Sequence, residues 1–253
     1  MTSVLSAHDL GKSFGAVVAA SGLSMEVPAG QRVSLIGSNG AGKTTFVNMV
    51  TGYLKPDTGR ILLEGRDITA LAPRRISRMG VSRSFQIPQL CIELTALENM
   101  LVALAASDPG GRLSFWKPAH ADDQRIRAEE LLDRFGLAEY ADRPVTELPG
   151  GVRKLLDIAM ALTGRPRLLL LDEPTSGVSA EEKFPMMETV MGALARESVT
   201  VLFVEHDMDI VTRYADRVVA FFNGRIIADE RLEHARRVRR VRHDVEQPLR
   251  DPP

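Results

Sequence analysis

Residues 37–44 read Gly37-Ser38-Asn39-Gly40-Ala41-Gly42-Lys43-Thr44. The pattern G-x-x-x-x-G-K-T, a phosphate-binding P-loop, leaves few folds open, because it needs a buried strand before it and a helix after it. Arg32-Val33-Ser34-Leu35-Ile36 reads as the strand and Thr45-Phe46-Val47-Asn48-Met49-Val50 as the helix. Glycines let the backbone turn tightly, so that successive N–H groups point inward at anionic oxygens. The helix beginning near Lys43 adds its positive dipole end. Lys43 supplies a full charge for β- and γ-phosphates, and Thr44 a hydroxyl for Mg2+.

The surrounding chain alternates strand and helix texture. Residues 4–20 read as a strand interrupted at Gly11-Lys12-Ser13-Phe14-Gly15, and 23–27 as a half-buried strand by alternation. Gly52 suits the left-handed cap that would end the P-loop helix. Residues 55–59 are a turn by their chemistry, followed by strands at 61–63 and 81–85. From residue 87 the texture turns helical. Thr95-Ala96-Leu97-Glu98 is a capping box, and Leu97, Leu101 and Leu104 form one apolar face. A Gly/Pro-containing loop at 107–118 carries Trp116. Helices follow at 122–135, with Ile126, Leu131, Leu132 and Phe135 as apolar positions, and at 152–162, with Leu155, Leu156, Ile158, Ala159 and Leu162. Continuous apolar runs at 168–171 and 199–204 suggest a buried parallel sheet. Asn223-Gly224 between apolar runs predicts a hairpin over 218–228. Beyond Asp229 the apolar pattern gives way to Arg236, Arg237, Arg239, Arg240 and Arg242.

Composition narrows the function class. The chain has 253 residues, 44% hydrophobic and 26% charged, with a formal net charge of -1, so no global electrostatic case for nucleic acid exists. Its single cysteine, Cys91, excludes an internal disulfide and is expected to pack as a small apolar side chain. The start, Met1-Thr2-Ser3-Val4-Leu5, lacks a basic segment followed by an apolar one, so no signal peptide is expected. No apolar run approaches the ~20 residues that cross a bilayer. Membrane contact would come through partners.

Three further segments complete the chemistry. The strand at 168–171 runs into Asp172-Glu173-Pro174. A hydrophobic strand ending in paired acids is the second half of a P-loop ATPase site: Asp172 can hold Mg2+ through water, and Glu173 can orient, or take a proton from, the attacking water. The run 201–204 leads to Glu205-His206-Asp207, where His206 can reach a γ-phosphate or serve only structure. Gln86 ends a strand. Its amide could touch both Mg2+ and water, or be merely a polar strand end.

Gln86, Leu148-Pro149-Gly150-Gly151, Leu171-Asp172-Glu173-Pro174, Ser176-Gly177-Val178-Ser179 and Glu205-His206-Asp207 fall in the order seen in ABC transporter ATPases. From about Val4 to Ala228 the chain resembles that family. Lys12-Ser13-Phe14-Gly15-Ala16, Thr51-Gly52-Tyr53-Leu54, Arg66-Asp67-Ile68-Thr69, Arg83-Ser84-Phe85-Gln86 and Glu205-His206-Asp207-Met208-Asp209, with the insertion near 107–119, resemble its branched-chain amino acid subfamily, a pattern shared with urea importers. The resemblance implies an α/β fold: a P-loop ATPase core, mostly parallel sheet with helices plus an antiparallel β part, and an inserted α-helical subdomain. It places an ATP-binding domain at 1–228, with core 1–86 and 164–228 and helical subdomain 87–163. The basic, Pro-ending tail at 229–253 matches nothing the resemblance leads one to expect; its arginines read as a partly disordered, solvated end or as a contact with anionic lipid. The resemblance implies ATP and Mg2+ as cofactors. Phe14 would stack on adenine. Gly37, Ser38, Asn39, Gly40, Ala41, Gly42, Lys43, Thr44 and Thr45 would bind the nucleotide, and Gly150 and Gly151 would meet it from a second subunit. Thr44, Gln86 and Asp172 would serve the metal, and Glu173, His206 and Gln86 the chemistry. It further implies two integral-membrane permease subunits, a second ATPase subunit identical or not, a solute-binding protein acting indirectly, no nucleic acid, and a peripheral place on the cytoplasmic face of the plasma (inner) membrane.

The chain departs from the family's pattern at Pro149, where a serine is usual, at Val152, where a glutamine is usual, and at Ser179, where Asp or Asn is usual. Pro149 offers neither hydroxyl nor backbone N–H. The reading that follows is an importer ATPase for branched-chain or related amino acids. Its alternatives are a urea or amide importer ATPase and a soluble non-transport ABC ATPase.

Overall fold

A computed structural model describes residues 3–107 and 118–232, the side chains of 118–121 apart. The expected loop around Trp116 and the arginine run lie outside the described residues. The described residues form two compact units, those up to 81 with those from 200 onward, and those of 82–199. The resemblance instead sets the divisions at 86/87 and 163/164. Residues 164–199 fall in the second unit together with the helices.

The first unit runs β1 (Ser3–Phe14), β2 (Val17–Pro28), β3 (Arg32–Ile36), α1 (Lys43–Val50), β4 (Thr58–Leu63), β5 (Arg66–Asp67) and α2 (Pro73–Arg78). After the second unit it adds β8 (Thr200–Val204), α7 (Met208–Tyr214), β9 (Arg217–Phe222) and β10 (Arg225–Arg231). One sheet is antiparallel, in the order β2-β1-β4-β5. The expected break at 11–15 is instead a reversal at Gly15-Ala16: β1 continues to Phe14, and its irregularity is absorbed as register shifts against β2. In the other sheet β3 lies parallel between β8 and β9, and β10 returns antiparallel to β9 through the expected Asn223-Gly224 turn. Both turn residues have positive φ, 46° and 72°.

Within this unit β3, paired on both edges, is buried continuously from Val33 to Ile36, as its near-continuous apolar run predicts for a central parallel strand. Phe46 of α1 meets Phe221 of β9 with ring centroids 5.8 Å apart, both fully buried. Burying each such ring contributes ~1.5–3 kcal/mol. The helix stops at Gly52 (φ 77°), whose N–H bonds the Met49 carbonyl at 3.2 Å. At the foot of β3, Asp216 accepts hydrogen bonds from the Arg32 backbone (2.9 Å) and guanidinium (2.6 Å). Burial pushes the Asp216 carboxyl up, but these bonds and the Arg32 charge pull harder and leave it below its ordinary value.

The second unit contains β6 (Val81–Ser84), α3 (Ala96–Ser107), α4 (Pro118–Arg134), α5 (Gly150–Leu162), β7 (Leu168–Asp172) and α6 (Ala180–Ala195), with β7 beside β6. The capping box forms as read: Glu98 N–H donates to Thr95 Oγ1 (3.2 Å) and Thr95 N–H to Glu98 Oε2 (2.8 Å). The buried face of α3 is Leu97, Met100 and Leu104, with Leu101 only half-buried, and Ile126 of α4 is exposed. Cys91 is exposed, contrary to expectation. Buried Asn99 binds the backbone of residue 91 through both N–H (2.8 Å) and carbonyl (3.0 Å), so the main chain is anchored and the thiol faces outward. Among the described residues no helix is long and apolar enough to cross a membrane.

Candidate functional site

The expected residues fall into two groups, one within each unit. In the first, the P-loop leaves the carboxyl end of β3 and enters α1, as its sequence requires. Gly37 has φ 147°, and a Cβ there would sit 2.3 Å from the Phe221 carbonyl oxygen. Gly42 has φ 107°, and its Cβ would sit 2.6 Å from the Ala19 oxygen. Only glycine fits either position. Lys43 is buried, its ammonium donating to the carbonyls of Gly37 (2.7 Å) and Ser38 (3.0 Å). The charge is thereby held within the curve of the loop. Ser38, Asn39, Gly40 and Thr44 are exposed, Ala41 is buried and Thr45 half-buried.

His206 follows β8, the parallel neighbour of β3, with Leu35 opposite Val204 and Glu205 N–H on the Leu35 carbonyl at 3.4 Å. The loop and the histidine thus share one carboxyl-terminal sheet edge, where open α/β sheets bind ligands. His206 is exposed, and its N–H donates to Glu205 Oε2 at 3.1 Å. Phe14 is 52% exposed at the end of β1, with Lys12 Nζ 5.7 Å from its ring centroid. It is no core residue, and its ring face is available for stacking.

In the second unit, Asp172 ends β7, buried, and forms an ion pair with Arg83 of β6 at 2.5 Å. Glu173 follows with φ 48°, a left-handed conformation that a non-glycine residue adopts only at a cost of about 1–2 kcal/mol. Such outliers cluster at functional sites. Its Oε2 accepts a hydrogen bond from Gln86 Nε2 at 2.8 Å. Two carboxylates on consecutive residues therefore have separate partners, a guanidinium and an amide.

Gly150 and Gly151 open α5, with Pro149 as N-cap. Neither glycine has positive φ, and a Cβ on either would meet nothing within 4 Å. Among the described residues nothing demands glycine there, although each costs up to about 1 kcal/mol of helix propensity. The missing N–H of Pro149 costs nothing locally, and its carbonyl accepts the Arg153 N–H at 3.0 Å. Ser179 is the N-cap of α6, its hydroxyl on Glu182 Oε2 at 2.8 Å.

Sequence reasoning missed Arg83, Lys154 and Asp157. Lys154 and Asp157 are buried on the apolar stripe of α5. Asp157 accepts from Ser84 Oγ (2.6 Å), Phe85 N–H (3.1 Å) and Gln89 N–H (3.0 Å). Burial pushes its carboxyl up, and these three bonds and the Lys154 charge only partly offset that. Two charges inside an apolar helix face were the available signal, since such groups are buried only when paired.

Residues 20–176 match the family model described as ABC transporter. The chain belongs to the ABC transporter family, as one of its ATP-binding cassettes, which are ATPases. Among relatives, a probable branched-chain amino acid transport ATP-binding protein LivG of Methanocaldococcus jannaschii is 36% identical over 91% of this chain and 90% of that protein. The high-affinity branched-chain amino acid transport ATP-binding protein BraF of Pseudomonas aeruginosa is 37% identical over 92% and 93%, and LivG of Escherichia coli 36% over 92% and 93%. Among solved structures, an ABC transporter cassette in its ADP conformation superposes with a TM-score of 0.82 at 33% identity, covering 98% of this chain and 96% of that one. A nucleotide-free cassette gives 0.81 at 34% identity, covering 97% and 96%.

Proposed function

We propose that this chain is the ATP-hydrolysing subunit of an importer for branched-chain or related amino acids, held on the cytoplasmic face of the inner membrane by two permease subunits. The solute assignment rests on the relatives above, which are named for branched-chain amino acid transport and match over nine-tenths of the chain.

The observation that carries hydrolysis, beyond binding, is Glu173: a carboxylate in a strained backbone conformation, directly after Asp172, with the Gln86 amide on it. In this reading Lys43 and the N–H groups of 37–45 hold the phosphates, and Phe14 takes the adenine. Glu173 orients the attacking water and accepts its proton, and His206 stabilises charge on the γ-phosphate. Mg2+ fits the donor chemistry. Thr44, Asp172 and the Gln86 amide offer hard oxygens, and the described residues contain no group of three or more His, Cys, Asp or Glu able to hold a metal. Mg2+ in such sites takes only one or two carboxylates, here Asp172, with water and phosphate filling most of its shell. When bound it neutralises phosphate charge. Gly150 and Gly151, open and unconstrained by their own chain, suit close approach to ATP on a second ATPase subunit.

The test is ATP turnover in the transporter reconstituted with its permeases and binding protein. Leucine, isoleucine or valine should stimulate it, and urea should not. Stimulation by urea alone would move the assignment to a urea or amide importer. Full turnover without permeases, raised by RNA or ribosomes, would replace transport altogether.

A further inference from the structure

Helix α5 carries two buried charges that face the two segments holding Gln86 and Glu173. Asp157 gathers the chain on both sides of Gln86: Ser84 Oγ and Phe85 N–H before it, Gln89 N–H after it. Lys154, one turn earlier, donates to the Gln86 carbonyl at 2.7 Å and to the Ser176 carbonyl at 3.4 Å. Ser176 in turn donates its N–H to the Glu173 carbonyl at 3.1 Å. One ammonium thus ties the segment of Gln86 to the loop following Glu173, while one carboxylate pins the flanks of Gln86. Between these anchors Gln86 Nε2 reaches Glu173 Oε2.

We propose that Lys154 and Asp157 are positioning residues that set the Gln86 amide on the Glu173 carboxylate, so that α5, which opens at Gly150 and Gly151, fixes the hydrolytic pair. The geometry explains why charge is tolerated inside an apolar helix face. Apolar side chains would pack there but would leave the carbonyls of 86 and 176 and the N–H groups of 85 and 89 without these partners. Asparagine could not replace Asp157, since donors approach both carboxylate oxygens and an amide presents an acceptor on one side only. The inference rests on Glu173 and Gln86 being the hydrolytic groups.

The experiment is a double-mutant cycle on MgATP turnover in the assembled transporter, with rates at saturating ATP and KM measured separately. Lys154→Met should lower kcat about tenfold, the loss of one charge-assisted hydrogen bond, with KM for ATP within about twofold. Lys154→Arg, which keeps a donor, should recover most of it. Ser84→Ala, which removes only one of the bonds to Asp157, should lower kcat about threefold and serves if Lys154→Met does not fold. Repeated in a Gln86→Ala background, read by single turnover, neither substitution should cost anything more. A full additional loss in that background, a raised KM with unchanged kcat, or no loss at all overturns the proposal. Glu173→Gln is measured beside them: wild-type turnover by that variant removes the hydrolytic reading and this inference with it, whereas its inactivity leaves the cycle as the deciding result.

Discussion

Arg83 and Asp172 form a buried ion pair, each side chain less than a tenth exposed, and Asp172 is also the carboxylate assigned to Mg2+. Two cations therefore have claims on one carboxylate. Arg83→Met is expected to destabilise the protein by about 3–5 kcal/mol, because it leaves a buried charge without its partner. It should also lower the Mg2+ concentration needed for half-maximal ATP binding, since the competitor is gone. Urea unfolding and a Mg2+ titration of nucleotide binding check the two halves separately.

Glu173→Gln should keep ATP binding and lose turnover by about 10²–10⁴-fold, the range for a displaced general base. Trapping of labelled ATP by the assembled transporter, alongside its phosphate release, measures both. Wild-type release would remove Glu173 from the mechanism.

The P-loop glycines should not be equivalent. Gly37→Ala places a Cβ 2.3 Å from the Phe221 carbonyl and should unfold or displace the loop. Gly40→Ala meets nothing within 4 Å and carries only the cost of φ 80°, about 1–2 kcal/mol. Thermal melting should separate them clearly. Equal melting temperatures would mean that β9 yields to the loop.

Acid should loosen the first unit at the foot of β3. The folded-state value of Asp216 is depressed, so its contribution is fully present above the ordinary carboxylate value of about 4 and is lost as pH falls through the lower folded value. Asp216→Asn should reduce stability at pH 7 and flatten the acid limb of the stability curve. Denaturant midpoints between pH 2 and pH 7 test this, and an unchanged acid limb would rule it out.

Pro149→Ser should restore a hydroxyl where the family carries one. If ATP of the opposite subunit meets this end of α5, closure should tighten by about 1.5–3 kcal/mol. Dimerisation measured with the hydrolysis-deficient Glu173→Gln form reads that change. No tightening would mean that the open glycines Gly150 and Gly151 suffice.

The P-loop, the hairpin at Asn223-Gly224 and the capping box at Thr95 were legible because their chemistry lies within a few consecutive residues. Apolar faces were legible to within one position. Leu101 and Met100 are adjacent, and only packing decides which turns inward. The partners of the catalytic candidates were not legible. Arg83 and Asp172 lie 89 residues apart, and Phe85 and Asp157 lie 72 apart. No local pattern links such pairs. Cys91 was misread because apolar character predicts burial, whereas at that position Asn99 holds the main chain and leaves the thiol outside.

The strand that feeds the P-loop has both its neighbours beyond residue 200, with Arg32 bonded to Asp216 across 184 positions. On a ribosome adding about 5–20 residues per second, β3 waits on the order of 10–40 s for either flank to be made. During that interval the glycine loop has Ala19 of β2 beside Gly42 but lacks the Phe221 carbonyl of β9 that confines Gly37. A competent nucleotide site is thus expected late in synthesis, and fragments that end before β8 should leave Val33, Leu35 and Ile36 of β3, buried in the folded chain, without their neighbours.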